Sequence, residues 1–275
     1  MATILGNNNN NRLTGTGAAD IIRGRDGNDI LIGLGGNDVM YGGNGNDRLF
    51  AGPGEDVLYG GPGNDLLTGG PDGDEFYGGS GTDTVNYAAS TTKVLAYLAL
   101  NLVGYGAFED KFYSVENVIG SAFDDFLRSG VGGYAYGGEG DDTLAGSSTA
   151  SNPGGLLRGD AGADYLDMKF GATTAWVQFG QGVDTIDSFI EGQDMLFIDL
   201  SDLGLGKTFD AGDIANSSSG SATGNHAQIV FETDAYRLWV DINGAGAGGL
   251  QQIAAFTKST FIDDNLDVGD FDFQL

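Results

Sequence analysis

The chain of 275 residues contains no cysteine, one histidine, four prolines and two tryptophans. Without cysteine it forms no disulfides and no thiolate metal sites, which leaves its redox compartment open. With His226 as the sole imidazole, an H-E-x-x-H zinc protease is excluded. The sequence also lacks G-x-S-x-G, the mark of a nucleophile elbow, and its Gly-rich turns lack G-K-[ST], so those turns are not phosphate loops. A Ser-His-Asp triad would have to use His226, which lies in a Ser/Gly-rich loop. No apolar run approaches the length of a membrane-spanning helix. The first residues, Met1 to Asn7, have neither a basic n-region nor an apolar h-region, so they do not read as a Sec signal. Positive charge is scarce: 12 Lys and Arg stand against 39 Asp and Glu, for a net charge of −27. That balance disfavours nucleic acid as a partner and opposes compaction when cations are absent.

Glycine and aspartate are abundant. There are 50 Gly, and 32 of the 39 acids are Asp. This favours turns and ligand sites over solvated helices. From Gly6 to Asn86 they fall into nine consecutive nonapeptides, among them GRDGNDILI, GLGGNDVMY and GGPGNDLLT. The sixth position is Asn11, then Asp20, Asp29, Asp38, Asp47, Asp56, Asp65, Asp74 and Asp83. The eighth is Leu13, Ile22, Leu31, Met40, Leu49, Leu58, Leu67, Phe76 and Val85. An acid and an apolar residue at a fixed offset through so many copies indicate a stacked repeat.

The pattern resembles G-G-x-G-x-D-x-U-x, with U a large apolar residue, of the RTX family of secreted bacterial proteins. The resemblance implies an all-β fold, a parallel β-roll that holds calcium. Nine residues are too few for a helix with its connections. The natural unit is a six-residue turn and a three-residue strand, with two units closing a coil of eighteen. Alternation along each strand turns the eighth residue inward. The spacing predicts an inner ladder of Leu31, Leu49, Leu67 and Val85 facing Leu13, Ile22, Met40, Leu58 and Phe76.

Turns on one side recur every eighteen residues. Asp29, Asp47, Asp65 and Asp83 therefore line one edge, and Asp20, Asp38, Asp56 and Asp74 the other. Each column repels itself unless a cation lies between successive turns. Calcium accepts six to eight oxygens at about 2.3–2.6 Å in loose geometry, whereas magnesium needs a tighter octahedron and zinc favours His or Cys. That Asp and Gly simply make turns explains the composition, but not an acid fixed at position six while position five drifts. Pairs eighteen apart give roughly six calcium ions, and a seventh if Asn11 pairs with Asp29.

Between residues 87 and 119 the nonapeptide gives way to a β-rich spacer. Its apolar stretch Lys93 to Val103 reads as a strand pair or a short helix, with strand favoured. Tyr97, Tyr105, Phe108, Phe112 and Tyr113 would either cap the roll or present a ligand surface. A second, irregular block over 120–187 restores the pattern around Asp125, Asp142, Asp164 and Asp184, and two or three further ions are expected there. The stretch Ser188 to Leu203 is similar to the segment after the roll in serralysin-type C-terminal regions. Gln228 to Ile242 reads as a hairpin and Leu250 to Phe256 as a strand. Together 188–275 are expected to form a β-rich cap with a secretion-signal region, since Asp267 to Leu275 resembles the end of type I secretion substrates.

The expectation is an extracellular protein, secreted by the type I apparatus without an N-terminal signal peptide, that folds on calcium. With no catalytic motif, it would serve as a surface, matrix or glycan-binding protein. The alternatives are a polysaccharide-processing enzyme or its targeting module, and a membrane-interacting secreted protein.

Overall fold

A computed structural model describes residues 1–98, 110–147, 155–169, 174–178, 181–189, 194–199, 214–217, 228–232, 237–241, 250–256 and 271–274. Tyr105, Phe108, His226 and Asp267 to Asp270 lie outside the described residues. Every regular element described is a strand.

Each nonapeptide folds as its pattern demands: the x-U-x triplet extends, and the Gly-rich segment turns the chain onto the next face. The first sheet contains β1 (Thr3–Leu5), β3 (Ile21–Asp26), β5 (Val39–Asn44), β7 (Val57–Pro62), β9 (Glu75–Ser80) and β12 (Lys111–Tyr113). The second begins with β2 (Arg12–Thr14), β4 (Ile30–Ile32), β6 (Arg48–Phe50), β8 (Leu66–Thr68), β10 (Thr84–Asn86) and β13 (Asn117–Ile119). It continues without a break through β15 (Ala135–Glu139), β17 (Leu156–Ala161), β19 (Thr174–Gln178), β21 (Met195–Asp199) and β26 (Phe271–Gln274). A third sheet runs β11 (Leu95–Tyr97), β14 (Phe126–Val131), β16 (Thr143–Ser147), β18 (Tyr165–Asp167), β20 (Asp184–Asp187) and β25 (Leu250–Phe256). Its edge is completed by β24 (Arg237–Asp241), β23 (Gln228–Glu232) and β22 (Ile214–Ser217).

The rolled portion is parallel, and as far as β10 its neighbours are eighteen residues apart: Ile22 pairs with Met40, Met40 with Leu58, and Leu58 with Phe76. Antiparallel pairing appears only at β23–β24 and β24–β25, among the described residues, where the Gln228 hairpin and the Leu250 strand expected from the sequence both lie. The apolar part of the spacer is extended at Leu95–Tyr97.

Two details differ from the sequence expectation. First-sheet strands β3, β5, β7 and β9 have six residues, not three, because pairing continues into the glycines, as at Gly61 with Gly79. Side chains are missing there, so successive coils approach closely enough for the ladder to continue: a Cβ on Gly61 would stand 2.3 Å from the Gly43 carbonyl oxygen. Leu13 belongs to the ladder of Leu31, Leu49, Leu67 and Val85, not to the opposite one, since β2 pairs with β4. The eighteen-residue period requires this, as Leu13 and Leu31 are one coil apart.

Both inner ladders are dry. Ile22, Leu31, Met40, Leu49, Leu58, Leu67, Phe76 and Val85 are fully buried. The core continues through Phe112, Val118, Leu127, Leu144, Leu157, Leu166 and Ile186. Outside the first sheet, Tyr41, Tyr59, Tyr77 and Tyr113 stack with centroids 4.8, 4.6 and 4.5 Å apart. Tyr113 thus extends an aromatic row, and Phe112 stacks inside on Phe76.

Candidate metal centre

The strand register decides where the acids go. Asp20, Asp38, Asp56 and Asp74 stack at one turn edge, and Asp29, Asp47, Asp65 and Asp83 stack at the other behind Asn11. Asp125, Asp142, Asp164 and Asp184 form a third column beside the third sheet. All twelve carboxylates are buried, exposing 5% or less.

One oxygen of each carboxylate clasps the coil before it. Asp56 Oδ1 accepts the Asp38 N–H at 2.6 Å, Asp65 Oδ1 the Asp47 N–H at 2.7 Å, and Asp83 Oδ1 the Asp65 N–H at 2.8 Å. The second oxygen is different. Oδ2 of Asp29, Asp38, Asp47, Asp56, Asp65, Asp74, Asp83, Asp142 and Asp164 is buried without a hydrogen-bond donor. A buried anionic oxygen in that state is costly unless something positive meets it.

The glycine at position one shows what faces it. A Cβ on Gly60 would lie 2.3 Å from Asp65 Oδ2 and 2.7 Å from the Gly78 carbonyl oxygen of the next coil. At Gly42 the corresponding distances are 2.3 Å to Asp47 Oδ2 and 2.7 Å to the Gly60 carbonyl. Carboxylate and carbonyl oxygens therefore converge on one small space between turns. Burial raises the Asp47, Asp56 and Asp83 carboxyls to about 7, and those of Asp74 and Asp142 to about 8. The backbone N–H bonds oppose this rise and neighbouring acids add to it. Among the described residues no three His, Cys, Asp or Glu side chains gather at one point. A cation here must combine stacked carboxylates with backbone carbonyls, and that all-oxygen donor set suits calcium and not zinc.

A second ladder braces one edge. The N–H groups of Asn28, Asn46, Asn64 and Thr82 donate to the side-chain oxygens of Asn10, Asn28, Asn46 and Asn64, at 2.8–3.0 Å. These bonds run in the opposite sense to the aspartate clasp, so each coil is tied in both directions. Position five drifts at a period of nine but holds Asn at a period of eighteen. That is the signal a single-repeat comparison overlooks.

Two column members escaped the sequence reading. Asp110 follows Asp74, accepting its N–H at 2.8 Å, and Glu116 follows Asp83 in the same way at 2.8 Å. Asp110-Lys-Phe-Tyr113 and Glu116-Asn-Val-Ile119 each keep the acid-x-apolar-x half of the motif, but neither has the Gly-rich half that makes it conspicuous.

A family model matches residues 5–40, 24–58, 41–75, 50–85 and 134–149. That family is the RTX calcium-binding nonapeptide repeat. The RTX match covers the first two columns as far as Asp83 and, in the third, Asp142. Among solved structures the chain is similar to the crystal structure of extracellular lipase LipA from Serratia marcescens, at 13% identity and a TM-score of 0.35. That alignment covers 98% of this chain and 39% of the other, so the chain spans well under half the length of that structure. No curated protein matches the chain.

Proposed function

We propose that the chain is a secreted calcium-binding roll that orders on reaching calcium outside the cell, and then acts without catalysis as a surface, matrix or ligand-binding protein. One observation carries this reading: nine buried position-six carboxylates each keep an oxygen with no donor, and at Asp29, Asp38, Asp47, Asp65, Asp83 and Asp142 that oxygen converges with a carbonyl of the adjoining turn. The residues holding the ions would be Asp29, Asp38, Asp47, Asp56, Asp65, Asp74, Asp83, Asp142 and Asp164, assisted by turn carbonyls. Bound calcium supplies the positive charge that these oxygens lack. Because the paired turns exist only in the folded chain, binding stabilises it by RT ln(1 + [L]/Kd) at each site, and many sites make the response steep. The side chains that remain for a partner are on the outer faces, where the tyrosine row of the first sheet and Trp176, tilted against Phe197 with centroids 4.2 Å apart, supply aromatic surface.

Far-ultraviolet circular dichroism of the full chain in chelator and in millimolar calcium tests the switch. A cooperative gain of β signal with calcium is expected. Equal order in both conditions refutes calcium-driven folding.

A further inference from the structure

Two groups of column acids differ in a way that the repeat pattern does not show; Asp184 and Glu116, last in the other two columns, fall in neither. Nine have the donorless Oδ2 described above. Three others have that oxygen satisfied by the chain itself. Asp20 Oδ2 accepts both the Thr16 N–H and the Thr16 hydroxyl at 2.7 Å. Asp125 Oδ2 accepts the Ser121 N–H at 2.5 Å, while its Oδ1 accepts the Ser121 hydroxyl at 2.9 Å. Asp110 Oδ2 accepts the hydroxyl of buried Tyr87 at 2.5 Å.

All three stand at column ends. Asp20 opens the first-sheet column and Asp110 closes it, whereas Asp125 opens the column of the third sheet. The second-sheet column opens on the uncharged Asn11, whose Oδ1 accepts the Asn7 N–H at 2.6 Å. A terminal coil has a neighbouring turn on one side only, so it offers a cation half a shell. Thr16 and Ser121 occupy position two. The units of Asp47, Asp56, Asp65, Asp74, Asp83 and Asp142 carry Gly there, where a Cβ would strike the preceding coil, and those of Asp29, Asp38 and Asp164 carry Arg25, Leu34 and Asp160 at positive φ, with no hydroxyl to offer. At Gly43 a Cβ would be 1.8 Å from the Arg25 carbonyl oxygen. In the first coil nothing precedes Thr16, so a side chain fits and its hydroxyl turns back onto the acid.

We propose that the chain's own hydroxyl and amide donors, at Thr16, Tyr87 and Ser121, close three of the column ends, at Asp20, Asp110 and Asp125, in place of calcium, which leaves the ions to the inner acids. This rests on the calcium reading above. A cation binding Asp110 would have to displace the hydroxyl of Tyr87, a buried residue. The structure thus sets a limit on ion number that counting Asp residues overstates.

The test is the number of calcium ions bound by the full chain, measured by equilibrium dialysis and native mass spectrometry, for wild type, D20N, D110N and D47N. D20N and D110N should bind as many ions as wild type, and D47N at least one fewer. Should D110N fail to fold, D20N still decides, since Asp20 lies in the terminal coil. If D20N or D110N loses an ion as D47N does, the end-closure inference is overturned while the calcium reading stands. If wild type binds no calcium, both are overturned.

Discussion

Replacing Asp56 with Asn separates the work of its charge from the work of its hydrogen bond. Asp56 Oδ1 accepts the Asp38 N–H at 2.6 Å, a bond that an amide oxygen preserves. Oδ2 is buried without a donor, and burial raises the carboxyl from 3.8 to about 7. In the unfolded chain the group stays near its ordinary value. The metal-free roll therefore takes up protons on folding between those values. Its stability is greatest below about pH 4 and falls as pH climbs through 7. At about 1.4 kcal/mol per pH unit, the rise corresponds to roughly 4 kcal/mol, which screening through the nearby turn reduces to about 2 kcal/mol. D56N removes that penalty and, with it, one charged ligand. Two limbs follow, both read by far-ultraviolet circular dichroism of the full chain. In chelator, as pH falls from 8 to 4, D56N should order at a higher pH than wild type. At pH 7.5 D56N should need several-fold more calcium to reach its midpoint. If D56N orders at a lower pH in chelator, the carboxylate is only a hydrogen-bond acceptor and the charge argument fails.

Gly60→Ala places a methyl 2.3 Å from Asp65 Oδ2 and should destabilise the calcium-loaded roll by about 1–3 kcal/mol, seen in urea unfolding. Gly17→Ala, with nothing within 4 Å, should change it by less than about 0.5 kcal/mol, and equal losses from the two would contradict the close-approach argument. Tyr59→Ala removes two stacked pairs, at 4.8 and 4.6 Å, and should cost about 1–3 kcal/mol with no change in the number of calcium ions bound. A loss of ions in that variant would mean that the outer row supports the turns and not merely the face it lies on.

The nonapeptide itself dictated the strand triplets, the inward ladder from Ile22 to Val85 and the recurrence of an acid at position six. These follow from a period that is local to the chain, since alternation and turn chemistry act over a few residues. Which residues share a column is a different matter. The eighteen-residue coil already implies Leu13 with Leu31, but only coil closure carried Asp74 on to Asp110 across a long excursion, because that depends on residues thirty-six apart meeting in one sheet. The fate of each carboxylate's second oxygen was likewise beyond the pattern. Asp47 and Asp110 follow the same acid-x-apolar rule, yet one oxygen is left bare and the other receives a tyrosine hydroxyl from twenty-three positions away. Sequence period set where negative charge would accumulate. Only the packing of coil against coil decided which of those charges the protein neutralises by itself.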